Sequence, residues 1–152
     1  MSNDSDKTVV VDANIALKWV LVEEDSGTAR ALLAEWTKGG TTVLAPTLLI
    51  YEITNILYRE VRSGKITIET AKNGINLILR TVSLIYSHQL TLNLRPMTLA
   101  ERFKLPAAYD TQYLALAELE ECDLWTTDTR MWRVVRDQFS WVHLLSDYTP
   151  KS

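Results

Sequence analysis

One cysteine, Cys122, occurs in 152 residues. An internal disulfide framework is therefore excluded, and the chain fits a reducing cytoplasm. Cys122 reads as a small, partly buried residue near a helix end; as a nucleophile it would need a histidine partner. The only two histidines, His88 and His143, stand in no recognisable context for that work. Apolar runs approaching the roughly 20 residues of a membrane helix are also missing, so no membrane span is expected. The start, Met1-Ser2-Asn3-Asp4-Ser5-Asp6, is polar and acidic, unlike a secretory signal. Positive charge is not in excess: the net charge of −3 argues against a passive nucleic-acid binder. It does not argue against an enzyme acting on nucleic acid, because bound cations reverse the local sign. Repeats, low-complexity tracts and linkers are absent. A content of 47% hydrophobic and 23% charged residues is that of an ordinary globular chain. One domain over residues 1–152 is expected, with residues 1–7 as a flexible N-terminus.

What is present is an alternation of strand and helix signals. Thr8 to Val11 is a short β-branched run that fits a buried central parallel strand. A short helix is expected from Asn14 to Val22, and a second from about Asp25 or Ser26 to Lys38, stopped by Gly39-Gly40. Thr42 to Ala45 reads as a strand, and Pro46 suits the first turn of a helix that runs to Arg62. After Ser63-Gly64-Lys65, apolar residues recur at helical spacing from Thr67 to Tyr86, so residues 46–86 form a long helical hairpin. Leu90, Leu92 and Leu94 alternate with Thr91 and Asn93 as in a half-buried strand. Thr98-Leu99-Ala100-Glu101 has the form of a capping box and opens a short helix. Pro106 opens the next helix, to about Glu121. Leu124 to Thr127 is a strand, Arg130 to Asp137 a helix, and Trp141 to Leu145 a last edge strand. The fold class is α/β, with a mainly parallel central sheet.

Four carboxylates sit in apolar frames. Asp12 ends Val9-Val10-Val11, and Glu52 interrupts Leu48-Leu49-Ile50-Tyr51-Glu52-Ile53. Asp110 opens Asp110-Thr111-Gln112-Tyr113-Leu114-Ala115, and Asp128 closes Leu124-Trp125-Thr126-Thr127. Burying a carboxylate is costly unless a positive group or a metal compensates. Asp12 and Asp128 each follow a strand, at the sheet edge where ligands bind in open α/β folds. The helix after Asp110 and the strand before Asp128 have similar lengths, so both acids return to that edge. Glu52 shares a helix face with Asn55, between Leu48 and Ile56. Taken singly, Asp12 and Asp128 read as helix caps, Asp110 as a first-turn acid and Glu52 as a half-exposed helix residue. Taken together they point to one shared site for a divalent cation.

The segments Val10-Val11-Asp12-Ala13-Asn14, Tyr51-Glu52-Ile53-Thr54-Asn55-Ile56-Leu57, Ala108-Tyr109-Asp110-Thr111-Gln112-Tyr113-Leu114-Ala115-Leu116-Ala117 and Trp125-Thr126-Thr127-Asp128 resemble the motifs of the PIN-domain ribonucleases. Within that family the chain looks most like the VapC toxins of toxin–antitoxin pairs. The likeness spans about Thr8 to Leu145, in order. It implies a three-layer α/β/α domain whose metal site is formed by Asp12, Glu52, Asp110 and Asp128. It further implies that Asn14 and Asn55 hold that site in shape by hydrogen bonds, and that Thr127 lines it. Gln112 departs from the pattern, at a place that touches substrate preference more than chemistry. A homodimer and a cognate antitoxin are the family expectation, with the 46–86 hairpin corresponding to the region used for such contacts.

Carboxylates are hard ligands that suit magnesium or manganese. On this reading Asp12 and Asp110 are the main direct ligands, and Glu52 and Asp128 act through water or on a second ion. RNA phosphodiester cleavage by a metal-activated water would follow, with Arg130, Arg133 and Trp132 as contacts to the RNA; Arg136 belongs to the same basic surface. Trp19 and Trp125 lie in apolar patterns and read as core. Two rival folds fit poorly. A receiver domain wants adjacent acids near its first strand and a late lysine, and a haloacid dehalogenase-type phosphatase wants an aspartate where Asn14 stands. The stronger alternative is a PIN-fold module that binds or regulates RNA with weak or silenced catalysis.

Overall fold

The computed structural model describes residues 7–85 and 90–150, with the side chains of 90–93 left aside. Five parallel strands form one sheet in the order β3-β2-β1-β4-β5. They are β1 (Thr8–Val11), β2 (Thr42–Pro46), β3 (Ser83–Ile85), β4 (Asp123–Thr126) and β5 (Val142–Leu144). The centre is the β-branched run of β1, where Val10 and Val11 are wholly buried. It pairs on one side with β2 (Val9 opposite Val43) and on the other with β4 (Val11 opposite Trp125). A strand covered on both faces must be apolar throughout, as this one is.

The connections are α1 (Ala13–Val20) and α2 (Ser26–Gly39) between β1 and β2, then α3 (Leu48–Arg62) and α4 (Ile68–Thr81) before β3. The chain then crosses back through α5 (Leu90–Arg102) and α6 (Asp110–Leu119) to β4, and α7 (Thr129–Val135) leads to β5. Right-handed crossovers put α1–α4 on one face and α5–α7 on the other. The result is a three-layer α/β/α arrangement, in which α6 packs across β1, β2 and β4. Strand order reverses between β1 and β4: the chain leaves β1 toward β2 and leaves β4 toward β5. Their carboxyl ends therefore flank a crevice, the place where open α/β sheets take ligands. Among the described residues no helix is long and apolar enough to cross a membrane.

The paired helices α3 and α4 are present, packed on each other around the turn at Gly64, whose φ of 78° lies in the left-handed region. Several expectations need correction. Pro46 ends β2, opposite Ile85, and the helix starts two residues later. The helix from Thr67 stops at Thr81, because Val82 is extended and the next three residues pair with β2. Val82, Leu84 and Ile85 suit a helix and a strand equally, so sheet pairing decided between them. The strand expected over Leu90–Leu94 is instead the first part of α5, and Thr98 lies inside that helix, its hydroxyl donating to the Leu94 carbonyl. Three alternating leucines are too short a pattern to separate strand from helix. The packing of Leu99, fully buried, and the Arg95–Glu118 ion pair to α6 favour the helix. Helix α6 starts at Asp110 and not at Pro106. Residues 1–6, most of the segment expected to be flexible, and His88 lie outside the described residues.

Candidate functional site

At the carboxyl end of β1 the backbone N–H of Asp12 still donates to the Trp125 carbonyl, so the β1–β4 ladder runs up to the acid itself. Asp12 is the N-cap of α1: its Oδ1 accepts from the Ile15 N–H at 2.9 Å. Its Oδ2 accepts from the Thr126 hydroxyl at 2.6 Å and from the Thr127 N–H at 3.4 Å. At the neighbouring strand end, Asp128 caps α7 through the Met131 N–H at 3.0 Å. Its own N–H donates to Thr126 Oγ1 at 3.0 Å. The buried Thr126 hydroxyl thus binds both aspartates. The capping roles expected of these two acids are real, and they are also what fixes the carboxylates at the crevice.

The other two acids arrive from opposite layers. Glu52 is half-buried on α3, beside the wholly buried Leu49 and Ile53. Its Oε1 accepts from the Tyr113 hydroxyl of α6 at 2.5 Å. Asp110 is the first residue of α6, and its carboxyl lies within hydrogen-bonding reach of Asp128.

Electrostatics tie the four together. Burial pushes the Asp12 carboxyl up to about 6, against the pull of its Thr126, Ile15 and Thr127 hydrogen bonds, and the charge of Glu52 adds to the rise. Asp110 is exposed as a residue, yet partial desolvation of its carboxyl and the contact with Asp128 push it up to about 7, with further repulsion from Asp12 and Glu52. Desolvation and the bond to Glu52 drive the Tyr113 phenol upward as well, keeping it a proton donor. Asp12 and Asp110 are raised with no cationic side chain among the groups that shift them, and a divalent cation would relieve the repulsion between the acids. The donor set, carboxylate oxygens alone, fits a hard cation. Among the described residues, no three His, Cys, Asp or Glu side chains stand as a finished cation cage. The side-chain contact between acids is Asp110 with Asp128, while Glu52 acts on Asp12, and both act on Asp110, through charge alone.

The supporting residues are placed differently. Asn14 and Asn55 are exposed. Among the described residues, Thr126 and Tyr113 make the side-chain hydrogen bonds to the acids, and Thr127 contributes its backbone N–H. Arg130 and Arg133 are exposed on α7, the helix that Asp128 caps. Trp132 is partly buried, with the Arg136 guanidinium 4.8 Å from its ring, so one face of the indole is already covered. Trp19 is core, and Trp125 is half-buried among Trp36, His143 and Tyr148. Cys122 is half-buried just past α6, and burial with the nearby Glu120 and Asp123 pushes its thiol up to about 11, away from nucleophilic use. The sequence signal for Thr126 was its place in Leu124-Trp125-Thr126, where strand alternation turns it inward. A buried hydroxyl there needs a partner. For Tyr113 the signal was one phenol in an apolar helix face, one turn from Asp110.

Residues 10–136 match the family described as PIN domain, and the chain belongs to that family. Among solved structures, the fold is similar to PAE2754 from Pyrobaculum aerophilum, at 20% identity and a TM-score of 0.62 over 84% of this chain and 79% of that one. It is similar to a chain of a toxin–antitoxin complex from Klebsiella pneumoniae, at 17% identity and a TM-score of 0.63, covering 95% and 98% of the two chains. It is also similar to a chain of VapBC2 from Rickettsia felis bound to a DNA fragment from their promoter, at 14% identity and a TM-score of 0.64, covering 90% and 96%. No curated protein matches the sequence.

Proposed function

We propose that this PIN-domain protein is a divalent-cation-dependent endoribonuclease, the VapC-type toxin of a cytoplasmic toxin–antitoxin pair. The observation that supports the reading is the raised carboxyl of Asp110, on which Asp128, Asp12 and Glu52 all act with no cationic side chain among the groups that shift it. Asp12 and Asp110 would be the main ligands of magnesium or manganese, with Glu52 and Asp128 as their partners. When bound, such a cation supplies Lewis-acid activation of water and neutralises charge on the phosphate. The chain's own share is to hold carboxylates and scissile phosphate in line. Thr127, whose N–H reaches Asp12, would line the site, and Arg130 and Arg133, on the helix that Asp128 caps, would bind flanking RNA phosphates as Trp132 offers its free face. The likeness to chains of the Klebsiella and Rickettsia complexes supports a cognate antitoxin as partner, and the assembly of this reading is a homodimer.

The test is cleavage of labelled single-stranded RNA with manganese or magnesium and with EDTA, for the wild type and Asp110→Asn. Cleavage that needs the cation and is lost in the variant is the expected result. Full metal-dependent activity in Asp110→Asn would overturn it. The exposed Arg130 and Arg133 on the helix that Asp128 caps favour one second reading, a PIN-fold RNA-binding or regulatory module with weak or silenced catalysis. RNA binding without cleavage by the purified chain would establish that one.

A further inference from the structure

Tyr113 is an oddity of the core. Its side chain is 1% exposed, in a helix whose other buried residues are Thr111, Leu114, Ala115, Leu116 and Ala117. Phenylalanine would fill the same space, so the hydroxyl must answer to something other than packing. Its one hydrogen bond among the described residues goes to Glu52 Oε1 across 61 positions of sequence. Glu52 in turn has no other hydrogen-bond or ion-pair partner among them, its helix neighbours Tyr51 and Asn55 facing solvent.

We infer that Tyr113 is the positioning residue for Glu52, holding one carboxylate oxygen so that the other is aimed at the cation site. The inference rests on the reading of the four acids as cation ligands. Asp110 and Tyr113 lie three residues apart, on one face of α6. That helix therefore brings one acid of its own and fixes the orientation of an acid carried by α3. The chemistry of the donor suits the task. A lysine or arginine at this point would neutralise Glu52 and compete with the cation, whereas a phenol orients the carboxylate and leaves its charge available. A glutamate has three side-chain torsions to lose on binding, and the phenol fixes them in advance. Groups that orient a ligand in this way typically contribute about 10–100-fold to metal affinity.

The experiment is manganese titration by calorimetry on the full chain, comparing wild type, Tyr113→Phe, Glu52→Gln and the double variant. Tyr113→Phe is expected to weaken manganese binding about tenfold, with circular dichroism and melting in EDTA showing the fold retained. In the Glu52→Gln background the same change is expected to cost nothing further, since the carboxylate it positions is gone. A purely structural role for the phenol would give equal losses in both backgrounds, and that result overturns the inference, as does wild-type affinity in Tyr113→Phe. Should Tyr113→Phe fail to fold, Glu52→Asp withdraws a charged carboxylate from the phenol. A comparable loss supports the inference and unchanged binding overturns it. Wild-type protein that takes up no manganese would remove the cation-site reading itself, an outcome distinct from manganese bound equally by wild type and Tyr113→Phe.

Discussion

Thr126 and Asp12, separated by 114 positions in sequence, are joined by a 2.6 Å hydrogen bond inside the core. The same hydroxyl oxygen accepts the Asp128 N–H, so one buried side chain locks the ends of β1 and β4 to each other at the crevice. Thr126→Val keeps the shape and removes the hydroxyl, leaving a buried carboxylate oxygen and an N–H short of partners. A loss of about 1–3 kcal/mol is expected, read by urea denaturation. Thr126→Ser, which keeps the hydroxyl, should recover most of it. A valine variant as stable as wild type would show that the bond contributes nothing to the fold.

The raised acids give a pH signature to the cation-free protein. Folded-state values of about 6 for Asp12 and about 7 for Asp110 exceed the ordinary carboxylate value of 3.8. The native state therefore binds more protons than the unfolded one across that interval, and stability falls as pH rises from about 4 to 7. In EDTA, Asp110→Asn is expected to raise the melting temperature at pH 8, where the repulsion is complete, and to change it little at pH 4. An equal effect at both values would mean that charge is not the cause.

Magnesium should act on the same repulsion from outside. Added to the EDTA-stripped wild type, it is expected to raise the melting temperature more at pH 8 than at pH 5, because protons compete for the same oxygens. The gain should shrink in Asp110→Asn. A shift independent of pH and of that substitution would place the bound magnesium elsewhere.

Glu52 and Ile53 are neighbours on α3 with opposite duties. Ile53 is wholly buried, and Ile53→Ala should cost about 2–5 kcal/mol through lost contacts and a cavity. Glu52→Gln takes away a charge that bears on Asp12 and Asp110, so it should hold or raise the melting temperature in EDTA at pH 8 while removing metal-dependent RNA cleavage. Scanning calorimetry beside the cleavage assay separates the two. Activity retained in Glu52→Gln would take that residue out of the site.

The bidentate pair of Arg95 with Glu118, at 2.7 and 2.9 Å, joins α5 to α6. Both side chains are roughly one-third exposed, so solvent screens the pair. Arg95→Ala is expected to cost only about 0.2–1 kcal/mol, less in high salt. A loss of several kcal/mol would mean that the pair holds α5 in place.

The local sequence determined much of this protein. The β-branched run from Thr8 to Val11 reads as a buried central strand, and the apolar residues recurring at helical spacing after Thr67 read as a helix. Both aspartates that follow strands lie where α/β topology places ligand-binding groups, so an α/β fold with a mainly parallel sheet was legible from short-range patterns, and the PIN family from the resemblance of the motifs. Tertiary structure decided what those patterns left degenerate. Residues 83–85 became a strand because β2 offered an open edge, and 90–94 became helix because α6 offered a surface to pack on. The partners of the acids were likewise beyond local reach. Thr126 finds Asp12, and Tyr113 finds Glu52, only once the sheet has brought distant segments together, because a hydrogen bond depends on a few tenths of an ångström that no sequence spacing specifies.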